Sequence, residues 1–233
     1  MTVGCSHGFL IDPKAEAAVL KFKSIFKPKR VFHLGDWCDT AALRAGAKGT
    51  ADEGQPIGSD IEQGLRFLEE LGVTDCTMGN HDERPYRFLK SHKAAEQELS
   101  ALLVGLIEAK MKKLKIRWSN TWDVRSWIDA YGWKWMHGNF FNENCARDHA
   151  EAYGNVCFAH AHKAMMQKGR RCDNPTGICV GTLSSIPNMD YAKNRRSTLA
   201  LSQAIVYGEG CGDEMGFIQL YDNGQTGNWH LPI

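Results

Sequence analysis

The chain has 233 residues, 43% of them hydrophobic and 24% charged, which suffices to bury a full core and fits one domain over 1–233 better than two small ones. A formal net charge of +1 gives no overall electrostatic footprint for nucleic acid, and no apolar run reaches the roughly 18 residues that would suggest a membrane span. No basic segment followed by an apolar one opens the chain, and eight cysteines without CxxC spacing are too dilute for a disulfide scaffold or a zinc finger, so reduced thiols in a cytoplasmic protein are expected.

Residues 3–5 read as the end of a short strand, and residues 13–26 as a helix with proline near its start and apolar Ala18, Leu20, Phe22 and Ile25. Residues 30–34 form a second predicted strand. After the Gly-rich stretch 46–59, residues 61–71 carry helical spacing and residues 73–78 return to strand. Strand alternating with helix is the start of a parallel sheet. Residues 94–114 read as a long amphipathic helix. Beyond it, "KIRW", "WDVRSWI" and "WKWMHG" are rich in β-branched and aromatic residues and predict successive strands. A helix over 144–153 precedes the strand "NVCFA", and "GICVGTL", "SQAIVYG" and "MGFIQLY" predict further strands with glycine-marked turns. There is no internal repeat and no evident linker.

Residues able to hold a metal fall just after predicted strands in five places: "CSHG" (5–8), "GDWCD" (35–39), "GNHDE" (79–83), "HG" (137–138) and "HAH" (160–162). Strand ends converge at one edge of a sheet, so His7, Asp36, Asn80, His137, His160 and His162 can surround a common point although they are far apart in sequence. Oxygen and imidazole donors suit Mn²⁺, Fe or Zn²⁺. Outside these motifs, His33 is expected as a hydrogen-bonded core histidine, and His92, His149 and His230 as surface or packing residues. Asp82 is expected to support its loop rather than to bind metal.

With these motifs in this order, the chain resembles the calcineurin-like metallophosphoesterases, and in its compact layout the small phage and bacterial members. Their pattern is D-x-H, G-D-x-x-D, G-N-H-D/E, a lone H and G-H-x-H. The resemblance covers roughly residues 1–165. "GDWCD" and "GNHDE" match fully, "AHAH" has Ala159 for the glycine, and Cys5 stands where the first aspartate is expected. The resemblance implies a four-layer αββα sandwich of two mixed sheets flanked by helices. It implies two adjacent divalent ions, one on His7 and His162, the other on Asn80, His137 and His160, with Asp36 bridging both. It further implies that an activated water hydrolyses a phosphodiester or phosphomonoester, that His81 protonates the leaving oxygen, and that Asp39 orients His81.

Three readings of Cys5 stay open at this point. Its thiolate replaces the aspartate as a ligand, favouring Zn²⁺ or Fe over Mn²⁺. Alternatively the first position is lost and one ion rests on Asp36, Asn80, His137 and His160; or Cys5 is a buried small residue and a water or Ser6 fills the gap. An impaired first site would leave a member that only binds a phosphate ligand or a partner protein, or a structural metal protein that turns nothing over.

The substrate is less constrained. Thr40 and Ala41 follow Asp39 where the protein phosphatases of this superfamily continue with R-G, which argues against a phosphoprotein. Arg84 is either a phosphate contact or one half of a surface salt bridge. Trp118, Trp122, Trp127, Tyr131, Trp133 and Trp135 are expected mainly in the core or on sheet faces, and an exposed subset, with the basic run 110–115, would suit nucleic acid or nucleotides. Arg170, Arg171, Arg195 and Arg196 read as a solvated loop or as the lining of a groove.

Overall fold

The central strands are buried on both faces, and the result is two sheets packed on each other with helices outside both. The computed structural model describes residues 1–189, 196–225 and 227–231. One sheet holds β1 (Thr2–Val3), β2 (Phe32–His33), β3 (Asp75–Thr77), β4 (Arg117–Ser119), β10 (Gln203–Cys211) and β11 (Glu214–Gly224), in the order β11-β10-β1-β2-β3-β4. The other holds β5 (Ile128–Ala130), β6 (Trp133–Met136), β7 (Val156–Phe158), β8 (Ala164–Lys168) and β9 (Thr176–Val180), in the order β5-β6-β7-β9-β8. β1 to β4 run parallel, as do β6, β7 and β9, while β10, β11, β5 and β8 add antiparallel edges. The helices are α1 (Pro13–Phe26), α2 (Ile57–Leu71), α3 (Arg84–Phe88), α4 (Ala94–Lys113) and α5 (Cys145–Tyr153).

Period-two alternation sorts the core into layers. Val31 faces outward and joins α1 through Val19 and Phe22, α2 through Leu65 and Leu68, and α4 through Leu103 and Ile107. Phe32 and Leu34 face inward, meeting Trp133, Trp135, Ile178 and Val180 of the second sheet. The Phe32 and Trp135 rings stack with centroids 4.4 Å apart. Met136, Val156, Phe158 and Cys179 turn away from that interface and bury against Cys145 and Ala146 of α5. Helix, sheet, sheet, helix is therefore the arrangement, the four-layer sandwich expected from the motifs. α1 begins where Asp12 accepts from the Lys14 amide at 2.8 Å and Pro13 takes the first turn, and it buries Ala15, Ala18, Val19 and Phe22.

Several local expectations change. The chain from Thr121 to Trp127 is irregular and only Ile128–Ala130 is strand, because Asp123 accepts from the Arg125 amide and turns the backbone. Trp133 and Trp135 are buried between the sheets, whereas Trp122 and Trp127 are only half-buried and lie off the strands. β8 and α3 were not evident from the sequence. Arg170 pairs with Glu151 and Arg171 with Asp173 on the exposed flank of α5, which rules them out as a groove lining; Arg195 and the side chain of Arg196 lie outside the described residues. Six cysteines are buried free thiols, and Cys172 and Cys211 are exposed. Among the described residues no helix is long and apolar enough to cross a membrane.

His149 is packed rather than exposed, stacked on Phe158 at 3.7 Å, with Nδ1 donating to Cys145 O at 2.7 Å and Nε2 accepting from Asn139 N at 3.2 Å. Burial lowers its pKa to about 4, from an ordinary 6.5. Between those values the unfolded chain takes up a proton that the folded one refuses, so stability falls as pH drops, by up to about 1.4 kcal/mol per unit from this residue. His149→Gln makes the fall in urea midpoint between pH 6.5 and 4 shallower; an unchanged slope would assign it to other groups.

Candidate metal centre

Every motif residue sits at the carboxyl end of a parallel strand. Cys5 and His7 follow β1, Asp36 and Asp39 follow β2, Asn80 and His81 follow β3, His137 follows β6, and His160 and His162 follow β7. The parallel ends of both sheets face the same edge, so all of these positions come together there.

Two donor groups form, and they share Asp36. Cys5, His7, Asp36 and His162 place one ligand atom each within 4.8 Å of one another, and so do Asp36, His137 and His160. In the first group His7 Nε2 faces His162 Nε2 at 3.1 Å and Asp36 Oδ2 at 3.8 Å. In the second, His137 Nε2 stands 3.2 Å from Asp36 Oδ2 and 3.1 Å from Asn80 Oδ1, and His160 Nδ1 stands 3.0 Å from the same Asn80 oxygen. The far side of each ring fixes which lone pairs point inward. His137 Nδ1 donates to Leu34 O at 2.7 Å and His7 Nδ1 donates to Asp39 Oδ1 at 3.1 Å, so both Nε2 atoms turn a lone pair toward the Asp36 carboxylate. Acceptors converging on acceptors is the arrangement that a divalent cation satisfies, and nitrogen and oxygen donors fit Zn²⁺, Fe or Mn²⁺.

The loops are pinned by two carboxylates that face away from the donor groups. Asp82 is fully buried and accepts from the amides of Asp36 at 2.6 Å, Gly79 at 2.8 Å and Cys38 at 3.2 Å. This confirms its role as a support for its loop. Burial, followed by the nearby Asp36 charge, pushes its pKa up to about 7. Asp60, which no motif singled out, accepts from the amides of Phe9 at 3.1 Å, Asp39 at 2.9 Å and Thr40 at 2.8 Å, and so ties the first two loops to α2. Its only sequence signal was an acid in the first turn of a helix.

Close approach explains the small residues of the motifs. A Cβ on Gly79 would lie 2.1 Å from Asp36 Oδ1, so the third loop reaches the bridging carboxylate only as glycine. Ala159 is accommodated because position 4 is glycine, where a Cβ would meet Ala159 Cβ at 2.7 Å.

Asp39 serves two histidines. Its Oδ1 lies 2.7 Å from His81 Nδ1 as well as 3.1 Å from His7 Nδ1. Burial opposes its charge, yet the bonds from His7 and His81 hold its pKa well below the carboxylate range. Burial likewise opposes the charge on Asp36, and the imidazoles of His137, His81 and His7 around it hold its pKa well below the carboxylate range. With Nδ1 held by Asp39, His81 turns Nε2 toward Asp36 Oδ2, 4.0 Å away. Among the described residues Arg84 makes no surface salt bridge. It is buried, and Nη1 donates to Asp39 O at 2.6 Å beside His81.

Cys5 lies in the first donor group with no exposure to water, and Ser6 is aimed elsewhere, its hydroxyl 3.0 Å from His33 Nε2. Ser6 is therefore not aimed into the first donor group. That contact also places His33 in the core, as expected, where burial lowers its pKa to about 3.

No protein-family model matches the chain, and no curated protein matches it. Among solved structures it is similar to a protein characterised as a novel archaeal phosphodiesterase, at 14% identity and a TM-score of 0.47 over 95% of this chain and 97% of that one. It is also similar to a protein of Thermus thermophilus, at 12% identity and a TM-score of 0.36 over 79% of this chain and 89% of that one. The site stands on its own geometry.

Asp60→Asn replaces an acceptor with a donor facing backbone amides. It is expected to cost about 1–3 kcal/mol in urea unfolding, as an unsatisfied buried donor does; a loss below about 0.5 kcal/mol would show that the loops hold without it.

Proposed function

We propose that the protein is a metal-dependent phosphoesterase, a small calcineurin-like metallophosphoesterase in which residues 1–233 act as one domain in the cytoplasm. One observation carries this reading: two donor groups share Asp36, and His81 Nε2 points at the shared carboxylate. His7 and His162 would hold one divalent ion, Asn80, His137 and His160 the other, and Asp36 would contribute to both. Such a pair supplies an activated water and charge stabilisation for a transferring phosphoryl group. His81 delivers a proton to the leaving oxygen, with Nδ1 locked by Asp39. Asp39 orients His7 in the same way. Arg84, held against Asp39 O, presents its guanidinium beside His81, where a phosphate oxygen would meet it.

Cys5 acts as a ligand of the first ion. Its place among His7, Asp36 and His162 supports this, and a thiolate there favours Zn²⁺ or Fe over Mn²⁺.

Elemental analysis of reduced protein loaded with zinc, paired with hydrolysis of an aryl phosphodiester, is the primary test. Two ions per chain and turnover are expected. One ion without turnover would overturn the reading in favour of a protein that binds phosphate or a partner. In cobalt-loaded protein Cys5 gives a sulfur-to-metal absorption band in the near ultraviolet, and Cys5→Ser removes it; a band that survives excludes Cys5 from the first ion.

His81→Ala keeps its metal and loses hydrolysis by about 10²–10⁴-fold. Asp39→Asn, by contrast, loosens two histidines together and is expected to lower both the rate and metal affinity by about 10–100-fold. An unaltered metal affinity in Asp39→Asn would confine Asp39 to His81. Arg84→Ala raises the KM or slows turnover while metal content stays; identical kinetics would take Arg84 out of the site.

A further inference from the structure

Two aromatic side chains flank the second donor group, and hydrolysis itself uses neither. The Trp122 ring lies 6.1 Å from His160 and 6.5 Å from His137, and its Nε1 donates to Gly138 O at 3.1 Å, which fixes the ring in place. The Phe141 ring lies 6.2 Å from His160 and is 73% exposed. The Arg87 guanidinium stands 5.9 Å over Trp122 and pairs with Glu83. Trp122 lies off the strands and is only half-buried, and Phe141 has most of its surface in water, so each keeps ring surface open to a ligand.

The other flank differs. Beside His81 and Arg84 lies a cavity of about 470 Å³, bounded further by Phe9, Pro56 and Ile57 and lined by neither Trp122 nor Phe141. α3 joins the two flanks, with Arg84 at the cavity and Arg87 over Trp122. A phosphoryl group at Asp36 thus has room for one organic substituent beside His81 and a second against the rings. A monoester carries only one.

Resting on the hydrolytic reading above, we infer that the substrate is a nucleotide phosphodiester whose leaving alcohol occupies the cavity beside His81 while the retained nucleoside stacks its base on Trp122 and Phe141. Water oxygen bonds to phosphorus and the P–O bond to the leaving alcohol breaks. The alcohol oxygen takes the His81 proton, a water proton restores it, and the other stays on the product, a nucleoside monophosphate. Base stacking is tolerant of base identity, since every base has a π-face. The net charge of +1 suits a short diester better than a long polyanion.

Three esters sharing one leaving group test this: thymidine 5′-p-nitrophenyl phosphate, methyl p-nitrophenyl phosphate and p-nitrophenyl phosphate. The nucleoside diester is expected to exceed the methyl diester about tenfold or more in kcat/KM, with the monoester slowest. Phe141→Ala, at an exposed position, and Trp122→Ala reduce that preference toward unity, mainly through KM. Trp122→Phe keeps a ring and part of the preference. Phe217→Ala, on β11, retains the wild-type ratio. A preference that survives loss of both rings, equal rates on the two diesters, or a faster monoester would each overturn the proposal. If no ester is hydrolysed at all, the hydrolytic reading is what fails. Titration with a 2-aminopurine dinucleotide then decides the platform alone: quenching that Phe141→Ala weakens about tenfold supports it, and absence of quenching overturns it.

Discussion

Two carboxylates, Asp36 and Asp82, lie almost wholly out of water at the meeting point of the two sheets, and among the described residues neither pairs with lysine or arginine. Buried charge without compensation is costly, and two like charges in one site more so. Asp82 is answered by backbone amides, which obliges the second and third loops to fold around it. Asp36 is answered by imidazoles from both sheets, which obliges the sheets to align their carboxyl ends. The architecture of the edge follows from satisfying these two groups.

The backbone carries strain in the same place. Cys5, His7, Asp36, His160 and His162 all adopt left-handed conformations, with φ between 52° and 60°. Each costs about 1–3 kcal/mol for a residue with a side chain, and such costs persist where surrounding structure over-determines them. The determinants are visible here: Cys5 N donates to Gly35 O and His7 N to Asp36 O, while Thr182 and Ser184 hydroxyls both donate to Cys5 O. The rigid sheets hold turns that a free peptide would not adopt, and those turns direct the side chains inward.

Much of this was legible in the sequence because chemistry-bearing residues followed strand-like runs. The polar motifs named the residues that converge in the candidate metal centre, and strand–helix alternation located the parallel half of the first sheet. The bounds of α1 were also readable, from Pro13 and the apolar spacing, but its buried face was not. Ala15, Ala18, Val19 and Phe22 turn inward while Ile25 is 48% exposed, because the sheet beneath decides which of two overlapping stripes is covered. α2 begins at Ile57 rather than 61, since Gly58 and Ser59 read as loop, and that disguised Asp60 as an ordinary helix-start acid. Asp60 acts through amides 20 to 51 residues away, and no local pattern encodes such contacts. The strand expected over Trp122 failed for a related reason: aromatic content signals burial, and it cannot tell a strand from an irregular, half-buried loop.

The span of the first donor group has a consequence for how the protein is made. His162 lies 155 residues beyond His7, and the hydroxyls that hold the Cys5 carbonyl come later still. On a ribosome adding about 5–20 residues each second, the amino-terminal turn emerges roughly 10–30 s before its partners. Throughout that interval a thiol and several imidazoles stand unburied in the cell, open to whatever metal or oxidant arrives first. Any ion that the finished site holds can then reflect the order in which its residues emerge as well as affinity.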